Sequence, residues 1–215
     1  MGSTTMNRLL VKLGAPDRYL QGARWQPWIQ RFYTGLSLYD PAIDLLFPDY
    51  RRAGQDLLEA LVLAPDHRVL DLGCGTGLLT LPAARRSRFA VGVDLTYAML
   101  ERLQRRAGTA LLPRVGLVRG DVRFLPLADG AFQRVVTSFM LLHLTWEEKR
   151  QALQEAARVL VPGGRLGCLT GLHRLAKVYL TQEEWRTLLH EAGFQDVAFQ
   201  ERCGAFHLVL ARKPG

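Results

Sequence analysis

From Val69 onward, short apolar runs alternate with segments of helical period. Val69–Leu72 reads as a strand that runs into a glycine-packed turn, Gly73-Cys74-Gly75-Thr76-Gly77. Helix is expected from Leu78 to about Arg86, strand from Phe89 to Val93 with Asp94 at its end, helix from Thr96 to Arg106, and strand from Val115 to Arg119. Arg134 to Ser138 is the next strand, set off by the turn Asp129-Gly130. Thr145-Trp146-Glu147-Glu148 and Thr181-Gln182-Glu183-Glu184 each fit a capping box, in which a threonine hydroxyl and a glutamate three residues on satisfy free amides at a helix start. The first of these helices runs to about Leu160, where Pro162-Gly163-Gly164 stops it and admits the strand Arg165 to Thr170; the second ends at Gly193. Such alternation predicts a parallel sheet covered by helices on both faces. The tail breaks it: Val197–Arg202 and Ala205–Arg212 are joined by Cys203-Gly204, too tightly for a crossover helix, so they must pair antiparallel.

The first 66 residues differ in kind. They hold Trp25, Trp28, Phe32, Tyr33, Tyr39, Phe47 and Tyr50 among short helical stretches broken by prolines. Packing against the sheet edge would bury these rings for ordinary hydrophobic reasons. A lid over a ligand pocket would use the same composition, so residues 1–66 are expected as a helical lid or cap and 67–215 as the ligand-binding domain.

The glycine turn carries the chemistry. Glycines let a backbone approach a ligand closely and accept φ values that other residues resist. Asp94 follows Gly77 by 17 residues, close to the ~20-residue spacing at which a strand-end carboxylate reaches the two hydroxyls of a ribose. A nicotinamide-binding turn reads G-x-G-x-x-G and places a pyrophosphate on the helix N-terminus. This chain has D-x-G-x-G-x-G, and Asp71, two residues before Gly73, would repel a pyrophosphate but could receive a cationic amino group.

Here the chain resembles the class I S-adenosylmethionine (SAM) dependent methyltransferases. The resemblance continues through Arg119-Gly120-Asp121-Val122, through Asp129–Val136, and through Arg158–Leu166, so that five blocks in family order span about residues 67 to 170. It implies a Rossmann-like seven-stranded sheet, mostly parallel with an antiparallel C-terminal strand. It further implies SAM as cofactor and S-adenosylhomocysteine as product, with the glycine turn facing the methionine part, Asp94 the ribose and Asp121 the adenine. The pair Tyr39-Asp40, with Tyr33, looks like the N-terminal segment of ubiquinone and menaquinone C-methyltransferases and phospholipid N-methyltransferases, which closes over SAM. The candidate cofactor-binding residues are accordingly Tyr33, Tyr39, Asp71, Gly73, Cys74, Gly75, Gly77, Asp94, Leu95, Met99, Asp121, Val122, Ser138, Phe139 and His143.

Composition narrows the picture. At 215 residues, 48% hydrophobic and 22% charged, the chain can bury one good core. The longest apolar runs are far short of the ~20 residues of a membrane span, and the N-terminus lacks the basic-then-apolar pattern of a signal peptide, so a cytoplasmic location is expected. Cys74, Cys168 and Cys203 form no C-x-x-C pair, and neither disulfides nor a metal site are expected. Residues 1–66 carry seven basic and seven acidic side chains, so the whole net charge of +8 lies beyond them. Arg85, Arg86, Arg88, Arg102, Arg105, Arg106, Arg114, Arg119 and Arg123 hold much of it. A solvated face accounts for this excess; a surface for RNA or an anionic membrane is the alternative. No Lys/Arg-rich stretch with interleaved aromatics accompanies it, which disfavours nucleic acid.

Methyl transfer from a sulfonium is an in-line displacement on an already activated electrophile. A general base is needed only if the nucleophile must lose a proton as it attacks. His143 after strand four and His173 after strand five stand where the ligand crevice of an open α/β sheet lies, and both are candidate bases. The segment Ser138-Phe139-Met140-Leu141 lacks the Pro-Pro-aromatic signature of amino-group methylation on nucleobases. Its apolar character, with Leu142 and Leu172, suits a small apolar or amphipathic acceptor such as a quinone precursor, lipid headgroup, phenol or thiol. An acceptor pocket is expected between Tyr33, Tyr39, Phe139, His143 and His173. An RNA-modifying methyltransferase and a non-catalytic SAM-binding protein remain as alternatives. The expected assembly is a monomer or homodimer, with peripheral membrane contact open.

Overall fold

The computed structural model describes residues 27, 31, 49–175 and 178–215. Tyr33 and Tyr39, and with them most of the expected lid, lie outside the described residues. The elements in chain order are α1 (Tyr50–Ala60), β1 (Arg68–Leu72), α2 (Thr80–Arg86), β2 (Phe89–Asp94), α3 (Tyr97–Leu111), β3 (Val115–Arg119), β4 (Phe132–Ser138), α4 (Trp146–Val159), β5 (Leu160–Gly171), α5 (Gln182–Glu191), β6 (Gln195–Arg202) and β7 (Phe206–Arg212).

The strands form one seven-stranded sheet in the order β3-β2-β1-β4-β5-β7-β6. β3, β2, β1, β4 and β5 are mutually parallel. β7 inserts antiparallel between β5 and β6, as the short Cys203-Gly204 connection requires. The chain leaves β1 toward β2 and β3 and then returns to lay β4 on β1's other side. This reversal opens a crevice beyond the strands' carboxyl ends, directly under the glycine turn.

Alternating side chains on each strand feed two cores. Val69, Ala90, Val136, Leu169 and Leu208 face α1, α2 and α3, while Leu70, Val91, Val135, Leu166 and Cys168 face α4 and α5. Within the segment expected as a cap, α1 is built into the first of these cores. Its Ala53, Leu57 and Leu58, and Leu61 just past its end, are fully buried, at helical spacing. The helix comes so near β5 that a Cβ on Gly167 would stand 2.8 Å from Leu61 and 3.0 Å from Leu57, inside van der Waals contact.

Three boundaries differ from the sequence expectation, each for a visible reason. Gly77 N–H bonds to Cys74 carbonyl and keeps Leu78 and Leu79 in the turn, so α2 starts at Thr80. α3 continues past Arg106 to Leu111 across a non-helical Gly108. Pro162-Gly163-Gly164 does not precede β5 but lies within it, because Gly163 and Gly164 pair with Lys213 beyond the end of β7. Both capping boxes form, with Thr145 on Glu148 and Thr181 on Glu184.

Candidate active site at the carboxyl ends of the strands

The turn after β1 holds Gly73, Gly75 and Gly77 at φ +66°, +51° and +89°, a region that side chains resist. Gly73 also needs space, since a Cβ there would lie 2.3 Å from the Met140 side chain. Thus Met140, just beyond β4, roofs the start of the turn. Gly73 and Cys74 amides both donate to the Val93 carbonyl, at 2.8 and 3.0 Å, which ties the turn to β2. The buried Cys74 sulfur fills the gap above Gly92, and burial holds its thiol protonated. Arg106 of α3 braces the same turn from outside, donating to the Thr76 carbonyl and hydroxyl at 3.0 and 2.9 Å.

Asp71 lies below the turn, 2% exposed, and accepts from the Thr80 hydroxyl at 2.6 Å. Burial raises its carboxyl to about 7, the Thr80 bond opposes this, and the neighbouring Asp94 charge adds to it. Asp94 closes the end of β2. One of its oxygens accepts from Gly75 N–H and the other from Thr96 N–H, both at 2.8 Å. The Thr96 side chain and the Leu95 backbone also hydrogen-bond this carboxylate. Burial raises the Asp94 pKa, opposed mainly by these backbone bonds. Leu95 is half-buried, Met99 lies buried in α3, and Val122 is buried beneath the β3–β4 connection.

Asp121 is engaged by Arg123, whose backbone N–H and Nε reach one oxygen at 3.0 Å while a terminal nitrogen reaches the other at 2.6 Å. The same guanidinium meets Glu148 at 2.5 Å. At the ends of β4 and β5, Ser138 shares a 2.8 Å hydroxyl–hydroxyl bond with Tyr50. Phe139 takes a left-handed backbone, φ +53°, which turns its ring into a cluster with Tyr50, Tyr179 and Phe206 at centroid distances of 5.4 to 6.1 Å. Tyr179 lies flat against Gly171, where a Cβ would come within 2.3 Å of the ring, and burial pushes its phenol up to about 12.

The two histidines differ. His143 sits in a 3-10 turn between β4 and α4, and burial, reinforced by the Lys149 charge, lowers its pKa to about 4. Lys149 is itself buried, with its ammonium on the Leu144 carbonyl and its pKa lowered by desolvation to about 8. His173 hydrogen-bonds through Nδ1 to the Tyr179 carbonyl. A carbonyl only accepts, so Nδ1 carries a proton.

The structure therefore joins Gly73, Met140, Ser138 and Phe139 at one end of the crevice, and Gly75 with Asp94 at its middle. Thr80 and Tyr179 were not singled out from sequence, while Arg106 and Arg123 were read only as part of the basic excess and Met140 only as part of an apolar segment. Of these, only Arg123, two residues from Asp121 in an Asx-like turn, had a local signal.

The sequence around this turn and the fold as a whole are similar to those of known proteins. The family described as methyltransferase domain matches residues 69–164. Over these residues the chain is similar to the class I SAM-dependent methyltransferases. Among curated relatives, the demethylmenaquinone methyltransferase of Renibacterium salmoninarum is 35% identical over 129 residues, 60% of this chain and 52% of that protein. The demethylmenaquinone methyltransferase of Mycolicibacterium vanbaalenii is 40% identical over 118 residues, 54% of this chain and 46% of that protein. A solved SAM-dependent methyltransferase from Aquifex aeolicus shares the fold, with a TM-score of 0.66 at 19% identity over 74% of this chain and 88% of that one. The chain spans between a third and about half of the length of the first curated relatives it matches. No helix among the described residues is long and apolar enough to cross a membrane.

Proposed function

We propose that the protein transfers the methyl group of SAM to a small apolar or amphipathic acceptor. The observation that carries this reading is the ring cluster of Tyr50, Phe139, Tyr179 and Phe206 at the carboxyl ends of β4 and β5, beside the glycine turn. In this reading the turn holds the methionine part of SAM, Asp94 the ribose hydroxyls and Asp121 the adenine. The sulfonium then points its methyl across the strand ends toward these rings. Rings and aliphatic chains exclude water and align an acceptor, and alignment alone lowers such barriers by several kcal/mol, up to about 7 to 11.

An acceptor that loses a proton on methylation needs a base near neutrality. His143, with its pKa lowered to about 4, is a weak one. His173, held through Nδ1 on the Tyr179 carbonyl, is the other candidate. The quinone-related names of the relatives support an aromatic acceptor with a hydroxyl or a ring carbon as nucleophile. Incubation with SAM and separate pools of hydroxy-arenes, amphipathic amines, thiols and polynucleotide, with S-adenosylhomocysteine as the readout, tests this. Turnover with a small-molecule pool is expected; turnover with polynucleotide alone would replace the reading by RNA modification.

A further inference from the structure

At the amino ends of the strands, the opposite end of the sheet from the crevice, three arginines stand in one row. Arg134 of β4 is the register partner of Arg165 in β5, and Arg165 is the partner of Arg212 in β7. Register partners project to the same face of a sheet. Here it is the α1 face, because Gly167, two residues beyond Arg165, lies under Leu57 and Leu61. Like charges placed directly opposite on neighbouring strands repel. Two of the three are compensated. Arg134 donates through Nε to the Leu61 carbonyl at 2.8 Å and through a terminal nitrogen to the Val62 carbonyl at 3.3 Å, at the end of α1 where the helix dipole is negative. Arg212 donates through Nε to Asp196 at 2.6 Å. The side chain of Arg165, an exposed residue between them, makes no hydrogen bond or ion pair among the described residues. Its charge is felt by its neighbour: burial lowers the Arg134 pKa, Arg165 lowers it further, and Asp66 opposes both.

The end of α1 and the β5–β7 ladder enclose a cleft of about 220 Å³, with Ala60, Leu61 and Leu210 in its apolar wall and Arg165, Arg212 and Asp196 as its charged groups. We propose that Arg165 and Arg212 bind a phosphoryl dianion in this cleft, either inorganic phosphate or the phosphate of a small monoester. A guanidinium presents its donors as a flat fork that matches phosphate and carboxylate geometry. One fork satisfies both oxygens of a carboxylate, whereas a phosphate has three strong acceptor oxygens and takes two forks at once. Asp196 engages Nε of Arg212, which leaves the terminal nitrogens of Arg212 to join those of Arg165 on the ligand. A dianion between the two arginines turns their repulsion into attraction. The site is remote from methyl transfer. Arg165 lies four residues, roughly 13 Å of strand, before Leu169, whose carbonyl accepts from the N–H of Phe139 in the ring cluster.

The test is thermal unfolding of the full chain as sodium phosphate replaces sodium chloride at constant ionic strength and about pH 8, above the second phosphate pKa, repeated with glycerol 3-phosphate. Phosphate also stabilises proteins by exclusion from their surface, a rise that variants share and that does not saturate, so the readout is the saturable part. Wild type should gain roughly 3 to 5 °C at about tenfold excess over Kd. Arg165→Gln should lose that gain and, without phosphate, unfold no lower than wild type, because the row then carries less repulsion. Arg165→Lys keeps the charge without the fork and should bind phosphate about fivefold more weakly; it is read alone if Arg165→Gln fails to fold. Asp196 holds a left-handed backbone, φ +55°, which asparagine accepts, and Asp196→Asn should tighten phosphate about threefold by removing a like charge from the cleft. Glycerol 3-phosphate binding several-fold tighter than phosphate would identify an organic phosphate as the ligand, and equal affinities free phosphate; both support the site. No saturable gain in wild type, or the wild-type Kd in the Arg165 variants, overturns the inference. So does a gain that disappears when S-adenosylhomocysteine is added, since the anion would then sit in the glycine turn.

Discussion

Replacing Asp71 by asparagine should stabilise the ligand-free protein, and by an amount that depends on pH. The carboxyl is 2% exposed, the Thr80 hydroxyl at 2.6 Å and the Thr80 backbone hydrogen-bond it, and Asp94 stands nearby. Its pKa rises from 3.8 to about 7 in the fold. At about 1.4 kcal/mol per pH unit, that difference corresponds to ~4 kcal/mol. Below about pH 4 the carboxyl is protonated in both folded and unfolded chains and contributes nothing to the pH dependence. As pH rises, the unfolded chain releases the proton while the folded one keeps it, so stability falls until the folded group ionises near pH 7. Above that the loss is complete. Asparagine keeps the shape and never ionises, at the cost of a weaker bond to Thr80 worth about 1 kcal/mol. Urea unfolding at pH 8 should therefore show Asp71→Asn more stable by roughly 2–4 kcal/mol, shrinking toward nothing near pH 4.5. SAM affinity should fall in the same variant if the ionised group serves the cofactor's ammonium. A stability difference that is the same at pH 4.5 and pH 8, or a loss at pH 8, would refute the reasoning.

His143 should give the opposite pH dependence. Its folded pKa of about 4 lies below the ordinary 6.5, so its contribution is present above pH 6.5 and is lost as pH falls toward 4, by ~3 kcal/mol at about 1.4 per unit; His143→Asn should flatten the acid limb of a stability profile. Asp94→Ala removes two bonds worth roughly 1.5–3 kcal/mol each before water compensates, and S-adenosylhomocysteine affinity by calorimetry should drop tenfold or more in a folded protein. Gly167→Ala places a methyl 2.8 Å from Leu61 and should cost about 1–3 kcal/mol in urea unfolding through displacement of α1, with no change in cofactor affinity once folded.

Much of this fold was legible before any coordinates. Strand and helix positions follow from apolar spacing, and both capping boxes declared their helices through residues three apart. The tight Cys203-Gly204 link forced the antiparallel pairing that β6 and β7 show. What failed was local and physical. Pro162-Gly163-Gly164 reads as a stop because nothing in the sequence reveals that Lys213 pairs with Gly164. The site divides in the same way. The glycines and Asp94 sit at a fixed spacing set by one strand–turn–helix–strand unit, and so they can be read from the chain. The bonds from Thr80 to Asp71, Arg106 to Thr76 and Arg123 to Glu148 depend on how helices land on the sheet, and no periodicity encodes that. The turning of Phe139 into the ring cluster depends on one positive φ, which no residue type at that position announces.

The central claim is that the turn from Gly73 to Gly77, with Asp94, is a SAM site. Isothermal calorimetry with S-adenosylhomocysteine on the full chain, repeated with NAD, tests it most directly. The account predicts one S-adenosylhomocysteine site per chain, weakened tenfold or more in Asp94→Ala, and no comparable heat from NAD. Tight NAD binding with no response to S-adenosylhomocysteine or SAM would contradict it.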